Sequence, residues 1–111
     1  MLFKSPKNTS QVYWTRHAKE KMRFYGLSEK KVLNLLFHPE RVEKGIAPGT
    51  IAHMKTVGSL KRQTEIWLLY QPKGQVKKII TAWRYPGRTQ PGEEIPIPLE
   101  IKKAIENQEI N

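Results

Sequence analysis

The sequence predicts a single α+β domain: two N-terminal helices packed on an antiparallel sheet of about four strands, followed by a short C-terminal helix. Three observations lead to this prediction. In the first third of the chain, apolar residues recur every three to four positions, as in a helix. From Arg41 onward they recur every second position, as in a strand. The two most apolar segments, Glu65 to Tyr70 and Lys78 to Trp83, lie in the second half of the chain. A length of 111 residues suits one hydrophobic core and is too short for two ordinary domains. Helices followed by a run of strands are typical of the α+β class.

The first predicted helix covers Thr15 to Tyr25. Within it, Ala18, Met22 and Tyr25 recur at i, i+4 and i+7, which places them on one face. Thr15 is a suitable N-cap, and Gly26 suits the left-handed position that follows a helix.

The second predicted helix begins at Ser28, which is a good N-cap, and ends near His38 because Pro39 follows. Glu29 lies in its first turn, where the helix dipole favours an anion. Its inward-facing residues are Val32, Leu33, Leu35 and Leu36.

The middle of the chain predicts strands. Two segments are apolar on both faces, which is typical of central strands, and a hairpin loop at Gln71 to Gly74 joins them. A charged strand is expected at one edge. We expect the helices to cover one face of the sheet, and the opposite face, edged by His53 and Lys55, to remain open to a ligand. The predicted strands are Arg41 to Gly45, Thr50 to Val57, Glu65 to Tyr70 and Lys78 to Trp83.

Segments of different composition flank this core within one predicted domain, 1–111. Residues 1–11 are polar and predict a loosely held arm, followed by a short strand at Val12 to Trp14. Residues 87–111 form a Pro-rich C-terminal extension. An amphipathic stretch in this extension, Leu99 to Asn107, predicts the short third helix.

The charge balance indicates a polyanionic partner. Twenty Lys and Arg residues oppose ten Glu residues, so the net charge is +10, and Asp is absent. The absence of Cys excludes disulfides, thiolate zinc sites and a cysteine nucleophile. The three dispersed His residues predict no metal site, and the seven Gly residues form no phosphate-cradling motif, so no cofactor is expected. No apolar run reaches the roughly 20 residues that cross a membrane, and no secretory signal is present, so we expect a cytoplasmic protein.

One motif lies across the two predicted helices. His17 is followed by Lys21-Met22 and then by Gly26-Leu27-Ser28. This spacing resembles a small family of uncharacterised bacterial domains that is similar to the BrnT and RelE-type toxins of toxin–antitoxin systems, over about Trp14 to Tyr85. The resemblance implies a metal-independent endoribonuclease (a hydrolase) with helices on a curved antiparallel sheet, an RNA-binding basic concavity and an acidic antitoxin as partner. The Pro-rich extension departs from the family pattern, as does Lys21, where Arg is common.

Cleavage of RNA without a metal needs a proton carrier and cations at the phosphate. His17 and Lys21 lie at i and i+4, so one helical face presents an acid or base beside a cation. Arg84 and Tyr85 at the end of the last strand complete the predicted catalytic set, with Arg84 on the phosphate and Tyr85 or Trp83 against a base. Strand alternation places Trp83 and Tyr85 on one face and Arg84 on the other. The alternative is that His17 caps the helix or packs near its start, that Trp83 is a core residue, and that Lys21 and Arg84 are ordinary surface charges.

Five further residues are predicted to bind RNA. His53 and Lys55 share a strand face, and a neighbouring Lys would hold the imidazole neutral, although an ordinary surface His remains the alternative. Arg16 directly precedes His17, and Arg88 adds a further positive charge after Arg84 at the end of the last strand. The predicted RNA-binding set is Arg16, His53, Lys55, Trp83 and Arg88.

The sequence therefore predicts a toxin-type endoribonuclease that cleaves RNA by acid–base attack of the 2′-hydroxyl group. The alternative function is a non-catalytic basic module that binds nucleic acid. A third function is that of an interaction protein, which binds an acidic antitoxin or inhibitor through its positive charge. The first two functions both predict salt-sensitive binding of RNA, and the first alone predicts that the RNA is cut.

Overall fold

The computed structural model describes residues 3–110, in which five strands form one sheet and three helices pack against it. The predicted α+β class is confirmed. In chain order the elements are β1 (Val12–Trp14), α1 (Arg16–Tyr25), α2 (Glu29–Phe37), β2 (Arg41–Lys44), β3 (Ile51–Val57), β4 (Thr64–Lys73), β5 (Val76–Tyr85) and α3 (Leu99–Glu106).

The sheet has the strand order β1-β5-β4-β3-β2, and it is mixed. Strands β2 to β5 form antiparallel pairs, whereas β1 runs parallel to β5, with Trp14 opposite Ile79. The four predicted strands pair antiparallel as expected, but the prediction of a wholly antiparallel sheet was wrong, because β1 joins it as a fifth, parallel strand. The short strand at Val12 to Trp14 was predicted, but a three-residue strand carries no signal for the distant strand beside which it lies.

A bulge in β5 marks the point where β1 ends and α1 begins. Ile79 pairs with Tyr70 and Thr81 pairs with Leu69, so Ile80 is the extra residue. The hydroxyl group of Thr15 lies 2.9 Å and 3.0 Å from the carbonyl oxygens of residues 79 and 80, and it accepts a hydrogen bond from the Ala18 N–H. Thr15 thus caps α1, as predicted, and also joins the helix to the bulge.

The turn between the two N-terminal helices forms as the sequence predicts. Gly26 adopts a left-handed conformation with φ of 66°, and the N–H of Leu27 donates to the carbonyl oxygen of Met22. Ser28 then caps α2 by accepting a hydrogen bond from the N–H of Lys31. This geometry fixes the angle between α1 and α2.

Both faces of the sheet are covered. Helices α1 and α2 enclose one core with Leu68 and Ile79 of the sheet, and residues after 87 enclose the second. The expectation of an open sheet face was wrong, because the central strands carry apolar side chains on both faces and both faces must leave water. The second core contains Ala52, Met54, Trp67, Leu69, Ile80, Trp83, Ile95 and Ile101.

The N-terminal arm, for which the sequence predicts loose attachment, makes specific contacts. The side-chain oxygen of Asn8 accepts a hydrogen bond from the N–H of Trp14, and the indole N–H of Trp14 donates to the carbonyl oxygen of Lys7. The N–H of Lys7 donates to a carboxylate oxygen of Glu29 in the first turn of α2. Pro6 is buried. These contacts hold the arm beside α1 and α2.

A buried carboxylate holds the start of the C-terminal extension. Glu65 has no exposed surface, and it accepts hydrogen bonds from the N–H and hydroxyl of Thr89 and from the indole N–H of Trp67. The guanidinium group of Arg41 donates to the same threonine and lies 5.0 Å from the Trp67 ring. This network attaches the extension to β4 and β2 before it crosses the second face.

Candidate nucleic-acid interface

His17 lies in the first turn of α1 and faces the sheet. Its Nε2 atom lies 3.1 Å from the hydroxyl oxygen of Thr81, and 5% of the residue is exposed. Burial lowers the pKa of this imidazole below its ordinary value, and Lys21 lowers it further, although Glu20 and Glu100 act in the opposite direction. The imidazole is therefore neutral at pH 7 and is paired with a protein hydroxyl.

Lys21 lies on the same face of α1, as the i, i+4 spacing predicts. Its ammonium group is 3.5 Å from the carboxylate of Glu100 in the first turn of α3, and it lies 5.5 Å from the Phe24 ring. His17 and Lys21 are thus brought together at the junction of α1, β5 and α3. The cation at this junction has a carboxylate partner.

Arg84 lies at the other end of α1. Its Nε donates to the carbonyl oxygen of Tyr25 at 2.7 Å, and Nη2 donates to that of Gly26 at 3.3 Å. The guanidinium group therefore satisfies carbonyl groups that the C-terminal end of a helix leaves free. Because His17 is eight residues earlier, about 12 Å of helix separates the two positions, and the structure does not bring these two predicted catalytic residues together.

Trp83 and Tyr85 face the second core, opposite Arg84, as alternation predicts. Trp83 is fully buried, its ring stacks on Trp67 with centroids 5.9 Å apart, and its indole N–H donates to the carbonyl oxygen of Pro96. Tyr85 is half-buried against the same cluster. The Trp83 ring is thus inaccessible to an RNA base while the C-terminal extension is in place.

His53 and Lys55 share one face of β3, and this is the face that α2 covers. The Nδ1 atom of His53 lies 3.4 Å from the carbonyl oxygen of Leu35, and its ring meets that of Tyr70 edge-on. Lys55 donates to the side-chain oxygen of Asn34 at 2.7 Å. Both residues therefore contact α2, so the expectation that they edge an open face was wrong.

The pKa of His53 is lowered chiefly by burial. Hydrogen bonding to the carbonyl groups of Leu35 and Leu36 opposes this shift, and the charge of Lys77 on β5 adds to it. The sequence predicted a lowered pKa with Lys55 as the cause. The charge that contributes comes instead from β5, which lies two strands away from β3 in the sheet, and the sequence pattern of β3 alone cannot reveal it.

These two imidazoles predict a pH-dependent stability. Because both folded-state pKa values lie below the ordinary value, the unfolded chain binds more protons in mild acid, and stability is lost as the pH falls below about 6.5. Thermal unfolding between about pH 7.5 and pH 5.5, above the range of most carboxylates, measures this effect. The melting temperature is expected to fall with pH, and His17→Gln should reduce the slope. A melting temperature independent of pH over this interval would contradict the burial of both rings.

The remaining predicted residues are at the surface. The side chains of Arg16 and Glu20 form an exposed pair 3.9 Å apart on α1, and such pairs contribute little to stability. Arg88 is exposed, donates to the side chain of Gln63 and lies 3.9 Å from the Glu65 carboxylate. Both guanidinium groups remain accessible to a solvent-borne anion.

A set of basic residues, of which the sequence analysis selected only Arg16, lines two clefts beside the N-terminal arm. One cleft of about 520 Å³ lies between the arm, the end of α1 and the start of α2, and one of about 230 Å³ continues along α1. The two clefts share Phe3 and Arg23. The available signal was the spacing of Arg16, Lys19 and Arg23 at i, i+3 and i+7 on the polar side of the helix. We call the two clefts together the arm groove; its cationic residues are Lys4, Arg16, Lys19, Arg23 and Lys30.

Residues 3–110 contain no group of three or more His, Asp or Glu side chains placed to hold a metal ion. Over the same residues, no helix has the length and apolar character needed to cross a membrane. Comparisons with models of protein families, with curated proteins and with solved structures find no match to this chain.

Proposed function

We propose that this protein is a basic module that binds RNA through its exposed cationic surface. The observation that carries the proposal is the shortage of partners for its positive charge. Of 20 Lys and Arg side chains, four lie within 4.0 Å of a carboxylate in residues 3–110. Such a surface attracts a polyanion and releases its counterions. The motif from His17 to Ser28, with its resemblance to the BrnT and RelE-type toxins, favours RNA among polyanions.

Binding is favoured over catalysis because the predicted catalytic residues have structural partners. His17 is bonded to Thr81, Lys21 is paired with Glu100, and Arg84 caps α1. A residue in such a contact must leave it before it can act on a phosphate. Lys19 and Arg23 of α1 and Lys4 of the arm have no carboxylate within 4.0 Å in residues 3–110, so they support binding without such a rearrangement.

Salt dependence tests the proposal. A fluorescently labelled single-stranded RNA is titrated with protein, and binding is followed by anisotropy. With about five phosphate contacts, affinity should fall roughly a hundredfold between about 50 and 200 mM salt, because each contact contributes about 0.7 to the logarithmic slope. A peptide nucleic acid of the same sequence, which lacks phosphates, is the control and should not bind. Absence of RNA binding at the lower salt concentration would contradict the proposal.

The endoribonuclease remains the second candidate, and the neutral imidazole beside Lys21 is the observation that favours it. A neutral His17 at pH 7 can accept a proton, and a nearby cation can stabilise a phosphate. Incubation of the same RNA with the purified protein distinguishes the two functions. Cutting that falls by about a hundredfold or more in His17→Ala would establish catalysis by this residue. Intact RNA in a stable complex would leave binding as the function.

A further inference from the structure

The arm groove combines positive charge with an apolar surface in one concave site. Five cationic side chains and two carboxylates, Glu20 and Glu29, line its two clefts. Glu29 accepts the hydrogen bond from the N–H of Lys7 that holds the arm in place. Glu29 thus helps to hold the arm that forms one wall of the groove. Most of the other charged side chains that line the groove are cationic.

The cations of α1 form a track along the groove. Arg16, Lys19 and Arg23 lie on one side of the helix and span about 10 Å along its axis, since each residue adds 1.5 Å. Within residues 3–110, neither Lys19 nor Arg23 lies within 4.0 Å of a carboxylate. The pair formed by Arg16 and Glu20 is exposed, so an incoming phosphate can replace it at little cost. The track is therefore free to bind successive phosphates of a nucleic acid.

An aromatic ring lies at the point where the two clefts meet. The Phe3 ring is half-buried, and the guanidinium carbon of Arg23 lies 5.3 Å from its centroid. Leu27, which is almost fully buried, adds an apolar wall to the larger cleft. Flat apolar and guanidinium surfaces stack on unpaired bases. This part of the groove thus offers a base a contact that charge alone does not provide.

We propose that the arm groove binds a single-stranded segment of RNA, with phosphates on Lys19 and Arg23 and an unpaired base against Phe3. This inference rests on the proposed function, and it specifies which surface of the protein binds RNA and that the bound RNA is single-stranded. A duplex presents phosphates and sugar hydroxyls while its base faces stay stacked, so it would make no use of the aromatic ring. An acidic peptide would use the cations without the stacking contact.

Two charge-matched double variants test the assignment. Lys19→Ala/Arg23→Ala removes two charges from the groove, and Lys61→Ala/Arg62→Ala removes two from the exposed loop between β3 and β4. Binding of a labelled oligouridine is measured over a range of salt concentrations. The groove variant should lose at least about tenfold in affinity, and its salt slope should fall by about 1.4, which corresponds to two phosphate contacts. The loop variant should keep the wild-type slope.

Phe3→Ala tests the stacking contact separately. Its affinity for oligouridine should fall by roughly tenfold while its salt slope stays at the wild-type value, because stacking releases no counterions. Circular dichroism melting curves verify that each variant is folded at the temperature of the binding measurement. Unchanged affinity in folded Phe3→Ala would overturn the base contact.

The outcomes separate this inference from the proposed function. If the wild-type protein binds no RNA, both fail. If it binds RNA and the two double variants lose affinity equally, the proposed function stands and the groove is overturned as the site. Poly-glutamate is titrated in parallel. Binding of poly-glutamate that depends on Lys19 and Arg23, with RNA binding that does not, would assign the groove to an acidic protein and overturn the inference.

Discussion

A chain that ends at Pro86 is expected to lose cooperative folding. The missing extension covers Trp67 and Trp83, which have no exposed surface, together with Met54, Leu69 and Ile80. Exposing these five side chains costs about 10 kcal/mol at roughly 2 kcal/mol each, which is comparable to the whole stability of a typical domain. Denaturant unfolding followed by tryptophan fluorescence measures the effect. A sigmoidal transition with the wild-type midpoint would show that the extension is dispensable.

Single substitutions in α3 provide a graded form of the same test. Ile101 is fully buried against the second face, whereas Leu99, two residues earlier, is 65% exposed. Ile101→Ala should lower the free energy of unfolding by about 2–5 kcal/mol, and Leu99→Ala should change it by about 0.5 kcal/mol or less. Equal effects would contradict the packing of α3 on the sheet.

Glu65→Ala is expected to destabilise the protein by about 3 kcal/mol, because it leaves several buried donors without an acceptor. The N–H of Thr89 and the indole N–H of Trp67 both donate to this carboxylate. Glu65→Gln should also destabilise, since its amide turns an N–H toward one of these donors. The free energy of unfolding from urea titration measures both variants.

Glu94→Ala is the matched control for that prediction. Glu94 lies in the exposed part of the extension, so its loss should change the free energy of unfolding by about 0.5 kcal/mol or less. If Glu65→Gln and Glu94→Ala changed the free energy of unfolding by the same small amount, hydrogen bonding to the Glu65 carboxylate would contribute nothing to stability. The attachment of the extension to β4 would then depend on its apolar contacts alone.

Local features of the structure could be predicted from the sequence because their causes lie within a few residues. The caps at Thr15 and Ser28 and the left-handed Gly26 depend on side-chain and backbone contacts across one turn. The shared face of His17 and Lys21 follows from helix geometry. The opposite orientations of Trp83 and Arg84 follow from strand alternation.

Features that depend on distant segments could not be predicted in the same way. Arg84 follows an apolar strand and suits a phosphate, but its partners are carbonyl groups 58 and 59 residues away. Strand β4 is apolar on both faces, yet we expected one face of the sheet to stay open, because nothing local identified residues 87–110 as its cover. The arm groove was missed because a polar, Pro-containing segment indicates a flexible arm, whereas Asn8 and Lys7 attach it to Trp14 and α2.

We propose that RNA binds on the outer side of α1 while both faces of the sheet stay covered by the helices and the C-terminal extension. A titration of the ¹⁵N-labelled protein with a short oligouridine, followed by heteronuclear NMR, tests it directly. We expect amide shifts to concentrate in residues 3–5 and 16–30, with little change in residues 95–105. Shifts concentrated instead in β5 and the C-terminal extension would show that RNA displaces the extension and binds the sheet, and they would contradict the proposed binding site on α1.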